Sequence, residues 1–337
     1  MDEVLVIGGA GFVGSHLVRM LRENGNPVRI FSRSAGKGRK PAPGIRYIGG
    51  AISDAQAVSD AVQGVKVVYD LAAQPVGTWE EIRRAYVDGC RNVAEACLRH
   101  RVRRLVYAST TAALDWGLTA TIDESAGTDK KAHLRPGYYH ISKIAAETLL
   151  MEMHDRSGLP VVILRPGIVV GRGGVLCHAG IGAWRSSTCC TIVGKGSHPL
   201  AFVLVEDVAA AFFAAMDAPD VEGRTFNLAG DVRPSAIEMV RYMGERSRRN
   251  FRAYPQSLYT MYAISWFKYI MKLIVGKSDH RPSWDNLKWW QFRTQLDCSA
   301  AKKYLGWKPV SDLETFLREA IDPHLRPIHP QDLRLTG

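Results

Sequence analysis

A tyrosine and a lysine lie four positions apart in the segment from Gly137 to Glu147, which has the pattern of a helix start. At this spacing Tyr139 and Lys143 share one helix face, so phenol and ammonium can enter one cleft. A nearby ammonium favours the phenolate and lowers the pKa of a tyrosine from its usual value of about 10. Tyr139 is therefore predicted as an acid/base group, although an exposed polar helix face commonly gives the same pattern.

A glycine-rich turn near the start of the chain gives that pair its context. The apolar run Val4–Ile7 is followed by Gly8, Gly11 and Gly14, and a helical pattern begins at once. Such glycines allow a tight turn and a close approach of the backbone to a pyrophosphate, and the helix N-terminus donates to the phosphates. The turn therefore predicts a dinucleotide site.

A hydroxyl cluster at residues 109–111 ends the fifth predicted strand, which begins at Arg104 and continues as an apolar run. Together with the glycine turn and the Tyr139–Lys143 pair, this cluster resembles the extended branch of the short-chain dehydrogenase/reductase superfamily. That branch includes sugar-nucleotide epimerases and 3β-hydroxysteroid dehydrogenases, and the resemblance covers nearly the whole chain. It implies a doubly wound parallel α/β sheet, the Rossmann fold, with a smaller interleaved C-terminal substrate lobe.

The resemblance assigns roles to individual residues. Tyr139 exchanges a proton with the substrate, and Lys143 also binds the nicotinamide ribose. Thr110, with Thr111 as the alternative, holds the substrate oxygen while charge develops on it. The residues expected to contact the dinucleotide are Gly8, Gly11, Phe12, Val13, Gly14, Arg33, Ile52, Leu71, Ala72, Ala73, Tyr139, Lys143 and Pro166.

The end of the second predicted strand bears on the choice of cofactor. NAD-specific Rossmann folds place a carboxylate there, whereas this chain has Arg33 and no carboxylate before Asp54. The basic residues Lys37, Arg39 and Lys40 follow closely and suit a 2′-phosphate, although a solvated basic loop explains the lysines equally well. NADP is predicted as the preferred cofactor, with NAD as the alternative.

Several positions depart from the pattern of the relatives. Asp70 stands where a His usually precedes Leu-Ala-Ala, and Tyr86 replaces an Asn that helps to hold a proton-relay water. Residues 111–112 replace the acidic pair of dehydratases, which argues against sugar 4,6-dehydration. The segment Arg165–Gly171 lacks the Asn of sugar-nucleotide epimerases and looks nearer to reductases and steroid dehydrogenases.

The order of the motifs predicts an enzyme with two interleaved lobes. Residues 1–170 form the dinucleotide-binding domain, which the chain re-enters at about 203–230, and residues 171–202 and 231–337 form the substrate lobe. The segment Leu305–Pro309 matches the C-terminal Leu-Gly-Trp-x-Pro signature of the relatives.

Composition narrows the class of protein. A chain of 337 residues with 46% hydrophobic content can bury the core of a globular enzyme. No Cys-x-x-Cys or His-Glu-x-x-His motif is present, so neither a disulfide framework nor a metal site is predicted. The first strand starts at Val4 without a preceding leader, and a cytoplasmic protein is expected. The net charge of +11 accompanies no nucleic-acid motif and indicates anionic ligands or a membrane surface as partners.

Residues 258–277 form an almost continuous apolar segment. A helix that is apolar over most of its circumference is usually buried, and burial is the favoured prediction. The rival interpretation is an interfacial helix that makes peripheral contact with a membrane, which Trp266, Phe267, Lys268 and Lys272 support.

Three functions remain open from the sequence. The preferred one is NAD(P)-dependent hydride transfer to or from a secondary alcohol or ketone of a nucleotide-activated sugar, as an oxidoreductase or epimerase. One alternative is oxidation or reduction of a sterol or lipid-like alcohol, and another is a non-catalytic dinucleotide-binding regulator. Retention of Thr110, Tyr139 and Lys143 argues against the regulator. A homodimer is expected, because in many relatives the helix bearing Tyr139 and the preceding long helix pair across a two-fold axis.

Overall fold

The structure is a computed structural model that describes residues 2–34, 43–72, 78–116, 121–130, 138–276, 281–282, 284 and 294–325. Two sets of predicted residues lie outside the described part of the chain. They are the cofactor contact Ala73 and the basic residues Lys37, Arg39 and Lys40.

Strands and helices alternate through the first half of the chain. The strands are β1 (Val4–Ile7), β2 (Val28–Ser32), β3 (Ile45–Gly49), β4 (Val67–Asp70), β5 (Arg104–Ala108), β6 (Thr121–Ile122), β7 (Val161–Pro166), β8 (Ile168–Val170), β9 (Ala183–Ser186), β10 (Cys189–Val193), β11 (Phe202–Leu204), β12 (Arg224–Leu228), β13 (Arg252–Gln256) and β14 (Gln295–Leu296). The helices are α1 (Phe12–Glu23), α2 (Ala55–Val62), α3 (Trp79–Arg83), α4 (Gly89–Arg99), α5 (Tyr139–Ser157), α6 (Val205–Ala214), α7 (Ala236–Ser247), α8 (Leu258–Ile274), α9 (Ser299–Leu305) and α10 (Leu313–Ala320).

Seven parallel strands form the central sheet, in the order β12-β7-β5-β4-β1-β2-β3. The four residues of β1 are all buried, as expected for a strand covered on both faces. Val4 and Val6 face the apolar cluster beneath α1 and α6, whereas Leu5 and Ile7 face the cluster beneath α2, α4 and α5. Helices therefore cover both faces of the sheet, and the predicted doubly wound fold is confirmed.

The remaining strands lie outside this sheet. β8 pairs with β11, β6 pairs with β14, and β9, β10 and β13 form a three-stranded sheet. A third apolar cluster joins β10 and β11 to α7 and α10. These elements occupy the chain predicted to build the substrate lobe, and the lobe boundaries stay a prediction.

The long helix expected before the helix bearing Tyr139 is interrupted by a π turn. Thr78 and Glu81 form a capping box that starts α3, and residues Arg84–Asp88 form the π turn before α4 begins. A π turn adds one residue to the helical repeat, so it rotates the side chains on either side of it relative to an ideal α-helix. Tyr86 lies inside this turn and is 2% exposed.

The helix α8 contradicts the prediction that residues 258–277 are buried. Leu258 is the buried residue of this helix, whereas Phe267 is 65% exposed and Ile274 is 71% exposed. An apolar pattern around most of a helix fits contact with lipid as well as burial in a core, because both surroundings exclude water. No helix in the described residues is long and apolar enough to cross a bilayer.

The segment after α9 fastens the C-terminal part of the chain to α6. The indole Nε1 of Trp307 donates to the carbonyl oxygen of Asp207 at 2.7 Å, and the Trp307 side chain is buried. The amide of Val310 donates to the Asp207 carboxylate at 3.1 Å. The Leu-Gly-Trp-x-Pro signature therefore anchors the end of the described chain on the nucleotide-binding half.

Candidate active site

The glycine turn after β1 brings three backbone segments into close contact. Gly8 has a φ of +77°, and a Cβ there would lie 2.8 Å from the carbonyl oxygen of Leu71. A Cβ on Gly14 would lie 2.3 Å from the carbonyl oxygen of Gly8. Gly11 is the N-cap of α1 and has no side chain to accept the first helical amides. The turn therefore leaves a helix N-terminus available to an anion, and it fits the pyrophosphate of a dinucleotide.

A cavity of about 340 Å³ lies beside this turn, at the carboxyl ends of β1 and β2. Four of the residues predicted to contact the dinucleotide line it, namely Gly8, Arg33, Ile52 and Ala72. Leu71 adjoins the same place, because its carbonyl faces Gly8. The cavity is where a Rossmann fold receives the adenosine half of its cofactor.

Arg84 is a second arginine in this cavity, and no sequence motif predicts it there. It reaches the cavity from the π turn, and its Nε donates to the Glu80 carboxylate at 3.1 Å. Glu81 also lines the cavity, but its carboxylate accepts from the amide and hydroxyl of Thr78. A helical pattern with a 3.6-residue repeat does not assign the faces of a π turn, so its position was not predictable.

The other predicted cofactor contacts lie along the same edge of the sheet. Phe12 and Val13 are the first residues of α1. The Phe12 ring packs closely on Gly174, because a Cβ on Gly174 would lie 2.6 Å from the ring. Val13 packs against the apolar cluster beneath α1. Pro166 ends β7 and pairs with Leu228 of β12.

Thr110 and Tyr139 meet in the structure. Thr110 follows β5 and is 9% exposed, and its hydroxyl is hydrogen-bonded to the phenol of Tyr139. The same hydroxyl accepts from the amide of Ala112 at 3.2 Å. Thr111 begins the 3₁₀ turn of residues 111–113, and its carbonyl accepts from the indole of Trp116. Of the two threonines, Thr110 has the hydroxyl that contacts Tyr139.

Lys143 lies at the bottom of the same cleft. Its Nζ donates to the carbonyl oxygen of Ala108 at 2.6 Å and to the Tyr107 hydroxyl at 3.3 Å. It also lies 4.5 Å from the centre of the Tyr86 ring and 4.6 Å from that of Tyr107. Tyr86 in turn contacts the Tyr139 ring edge to face, at 5.8 Å between centroids. Tyr86 therefore touches both residues of the predicted pair.

Burial controls the proton affinities of this pair. It raises the pKa of Tyr139 above the ordinary 10.0, and the hydrogen bond from Thr110 acts in the opposite direction. This is contrary to the lowering of the Tyr139 pKa predicted from the spacing, because Nζ of Lys143 is directed to the Ala108 carbonyl. Burial also lowers the pKa of Lys143 to about 8. Tyr139 is consequently a protonated phenol near neutral pH and suits donation of a proton.

A buried carboxylate, Asp70, adjoins this cleft at the end of β4 and is 2% exposed. In the sequence, Asp70 is recognisable as a charged residue at the end of a strand whose other residues are Val67, Val68 and Tyr69. Within the described ranges no group of three or more His, Cys, Asp and Glu side chains is arranged to hold a metal ion.

The parallel sheet, its glycine turn and the Tyr139–Lys143 pair at the carboxyl edge define a nucleotide-binding α/β protein of the dehydrogenase type. The chain belongs to the NAD dependent epimerase/dehydratase family, whose sequence model matches residues 4–229. Membership confirms the resemblance to the extended short-chain dehydrogenase/reductases.

Named relatives differ in what they act on. The 2-alkyl-3-oxoalkanoate reductase of Stenotrophomonas maltophilia is 31% identical over 220 residues, which are 64% of this chain and 66% of that protein. The 3beta-hydroxysteroid-dehydrogenase/decarboxylase isoform 2 of Arabidopsis thaliana is 26% identical over 355 residues, covering 94% of this chain. The chain spans 66% and 61% of the lengths of these two relatives.

Among solved structures, MoeE5 in complex with UDP-glucose and NAD has the same fold. Its TM-score is 0.71 at 24% identity, with 96% of this chain and 98% of that chain covered.

Proposed function

We propose that this protein is an NADP(H)-dependent oxidoreductase that interconverts a secondary alcohol and a ketone on a lipid-like substrate. The observation that carries the proposal is the contact of Tyr139 with Thr110 and with the Tyr86 ring, which also lies beneath the buried Lys143 ammonium. The names of the two relatives support the substrate class, since one refers to an alkyl-oxoalkanoate and the other to a hydroxysteroid.

Each residue of the cleft has a distinct task. The Tyr139 phenol donates a proton to the carbonyl oxygen during reduction and receives it during oxidation. The Thr110 hydroxyl, within hydrogen-bond reach of Tyr139, holds that oxygen while negative charge develops on it. The Lys143 ammonium provides positive charge beneath the cleft and a donor for ribose hydroxyls. A bound nicotinamide would supply or accept the hydride at its C4 atom.

A nucleotide-activated sugar is the second candidate substrate. The family match favours it, because the description of the family names epimerases and dehydratases. An epimerase returns the hydride to its substrate, so the chemistry would leave the nicotinamide unchanged at the end of a turnover.

The test separates the two substrate classes. Purified protein is incubated with a panel of long-chain β-keto acids, 3-ketosteroids and UDP-sugars, once with NADPH and once with NADP+ or NAD+ as the hydride acceptor that an epimerase needs, while nicotinamide absorbance and sugar products are both followed. We expect NADPH oxidation with a lipid-like ketone. Formation of an epimeric UDP-sugar without net NADPH oxidation would replace this proposal by the second candidate.

We further propose that NADP is preferred over NAD, because Arg33 and Arg84 line the cavity beside the glycine turn. Guanidinium groups bind phosphate through charge-assisted hydrogen bonds, each worth roughly 1.5–3 kcal/mol. Arg33→Asp should therefore reduce NADPH affinity on the order of 10-fold or more and leave NADH affinity equal or higher.

The measurement is the dissociation constant of each cofactor, from quenching of protein fluorescence. Arg99→Asp is the control, since Arg99 carries the same charge on α4 and contacts Ser59 rather than the cavity. If the ratio of NADPH to NADH affinity is the same in Arg33→Asp as in the control, Arg33 does not bind the 2′-phosphate.

We propose a homodimer formed by α5 and the helical segment 79–99, the pairing implied by the resemblance. The mass measured by light scattering at micromolar concentration is expected to be twice that of the chain, whose mass is 37.3 kDa. A measured mass equal to that of one chain at that concentration would contradict the homodimer.

We also propose that the outer face of α8 makes peripheral contact with an anionic membrane. Phe267, Ile270 and Ile274 lie on this face, and their exposed fractions are 65%, 49% and 71%. Positions 267, 270 and 274 follow the i, i+3, i+7 spacing of one helix face, so the apolar surface is continuous along the helix. Such a face is the part of an interfacial helix that enters the bilayer.

α8 also carries two lysines. Lys268 and Lys272 are exposed and lie one turn apart. In the row of residues that leads to Ile270 and Ile274, the Tyr262 ring contacts Trp284 at 5.2 Å between centroids, and Trp266 stacks with the Arg281 guanidinium. With a net charge of +11, this arrangement matches an anionic lipid surface better than a second copy of an equally basic chain.

A further inference from the structure

Asp70 and Tyr107 occupy paired positions on the neighbouring strands β4 and β5. Paired residues of parallel strands point to the same face of a sheet, so the Asp70 carboxyl lies on the face covered by α4 and α5. Lys143 extends from α5 to this face and donates to the Tyr107 hydroxyl at 3.3 Å. The amide of Ala72 donates to Oδ1 of Asp70 at 3.0 Å and fixes the orientation of the carboxyl.

The surroundings of Lys143 contain few other groups that can stabilise a charge. Its two aromatic neighbours and the Ala108 carbonyl are neutral, and burial raises the pKa of the Cys90 thiol on α4, which keeps that thiol neutral. Glu147 lies one turn further along α5, but the guanidinium of Arg165 already pairs with it at 2.6 Å. Among the described residues around Lys143, Asp70 is the carboxylate that no arginine neutralises.

We propose that Asp70 is the counter-ion of Lys143 and acts as a positioning residue that keeps the ammonium charged while Tyr139 exchanges its proton. The pairing stands on the positions of Asp70, Tyr107 and Lys143 in the sheet. Its consequence for the rate rests on the proposed function. An opposite charge in a site that excludes water favours the charged form of a buried amine.

The pKa values of the pair agree with this role. Burial lowers the pKa of Lys143 to about 8, while the Asp70 carboxylate acts against that lowering. Burial raises the pKa of Asp70, and Lys143 acts in the opposite direction. Asp70→Asn removes the negative charge and retains a carbonyl oxygen that can accept from Ala72. We expect it to lower the pKa of Lys143 by about one unit or more.

The direct test is an NMR titration that needs no substrate. Protein containing lysine labelled with ¹³C at Cε is titrated from pH 6 to 10, and the Lys143 resonance is the one missing from Lys143→Met. Asp70→Asn should move the midpoint of that resonance to lower pH, whereas Cys90→Ala, which removes a neutral neighbour, should leave it in place. An unchanged midpoint in Asp70→Asn would overturn the inference. If Asp70→Asn does not fold, Asp70→Ser is the second uncharged variant, and the same outcomes apply.

A pH–rate profile distinguishes positioning from a structural role. Loss of the ammonium charge removes activity, so the alkaline limb of kcat/KM should shift to lower pH in Asp70→Asn by the amount found by NMR. The plateau on the acid side should be retained, and Asp70→Glu should restore the alkaline limb. A uniform loss at all pH values would contradict the positioning role. If no substrate is turned over, the proposed function fails, while the NMR titration still decides the pairing.

Discussion

Tyr139→Phe is expected to lower turnover on the order of 10²-fold or more, because the phenol hydroxyl is the proton donor at the substrate oxygen. The hydroxyl contacts Thr110, whereas the ring packs edge to face on Tyr86. Phenylalanine keeps the ring and therefore the packing. Affinity for NADPH and thermal stability should consequently change little while kcat falls.

Tyr138→Phe is the matched control for this experiment. The neighbouring Tyr138 contacts Trp79 at 5.4 Å between ring centroids, so the same loss of a hydroxyl takes place one residue away. Measurements of kcat, KM and NADPH affinity on both variants separate loss of the proton donor from a general effect on the helix start. Wild-type turnover in Tyr139→Phe would exclude Tyr139 as the acid/base.

Reversing the charge of both lysines on α8, by Lys268→Glu with Lys272→Glu, is expected to abolish binding to anionic vesicles. Each lysine near an anionic surface contributes about 1 kcal/mol, and a glutamate is repelled, so partitioning should fall on the order of 10²-fold or more. Flotation with phosphatidylserine-containing liposomes at low and high salt measures the effect. High salt should weaken wild-type binding, because screening shortens the range of the attraction.

The control exchanges two exposed lysines elsewhere, Lys66→Glu with Lys308→Glu, which changes net charge by the same amount. A second variant, Phe267→Ser, removes part of the apolar face and should weaken binding at every salt concentration. If the wild-type protein does not float with the liposomes at low salt, the membrane proposal is contradicted. Equal losses in the control and in the α8 variant would mean that net charge, rather than this face, drives binding. A Phe267→Ser variant with a lower mass in light scattering would identify a second copy of the chain as the occupant of the face.

The nucleotide-binding half could be predicted because its signals are local. The apolar run Val4–Ile7 gives a strand buried on both faces, and glycines at 8 and 14 are demanded by backbone contacts that a Cβ would block. The Tyr139–Lys143 spacing likewise follows from helix geometry. These features need no knowledge of distant parts of the chain.

The remaining features depend on long-range packing, which spacing alone does not encode. The π turn that carries Arg84 into the cavity has no composition signature, and the direction of the Lys143 ammonium depends on the Ala108 carbonyl 35 residues earlier. Hydrophobicity could not distinguish a buried α8 from an exposed one. The prediction that the pKa of Tyr139 is lowered was wrong because the pKa depends on burial, which is set by tertiary packing.

The contact between Trp307 and Asp207 has a consequence for folding during synthesis. The two residues are 100 positions apart, and α9 also packs against β12, an edge strand of the central sheet. A ribosome-bound chain that has just completed β12 therefore still lacks the cover for α6 and for this edge. Such a nascent chain exposes apolar surface and is a substrate for chaperones until Trp307 leaves the exit tunnel. Premature termination before Trp307 is expected to give an aggregation-prone product, even though the glycine turn, Tyr139 and Lys143 have all been synthesised.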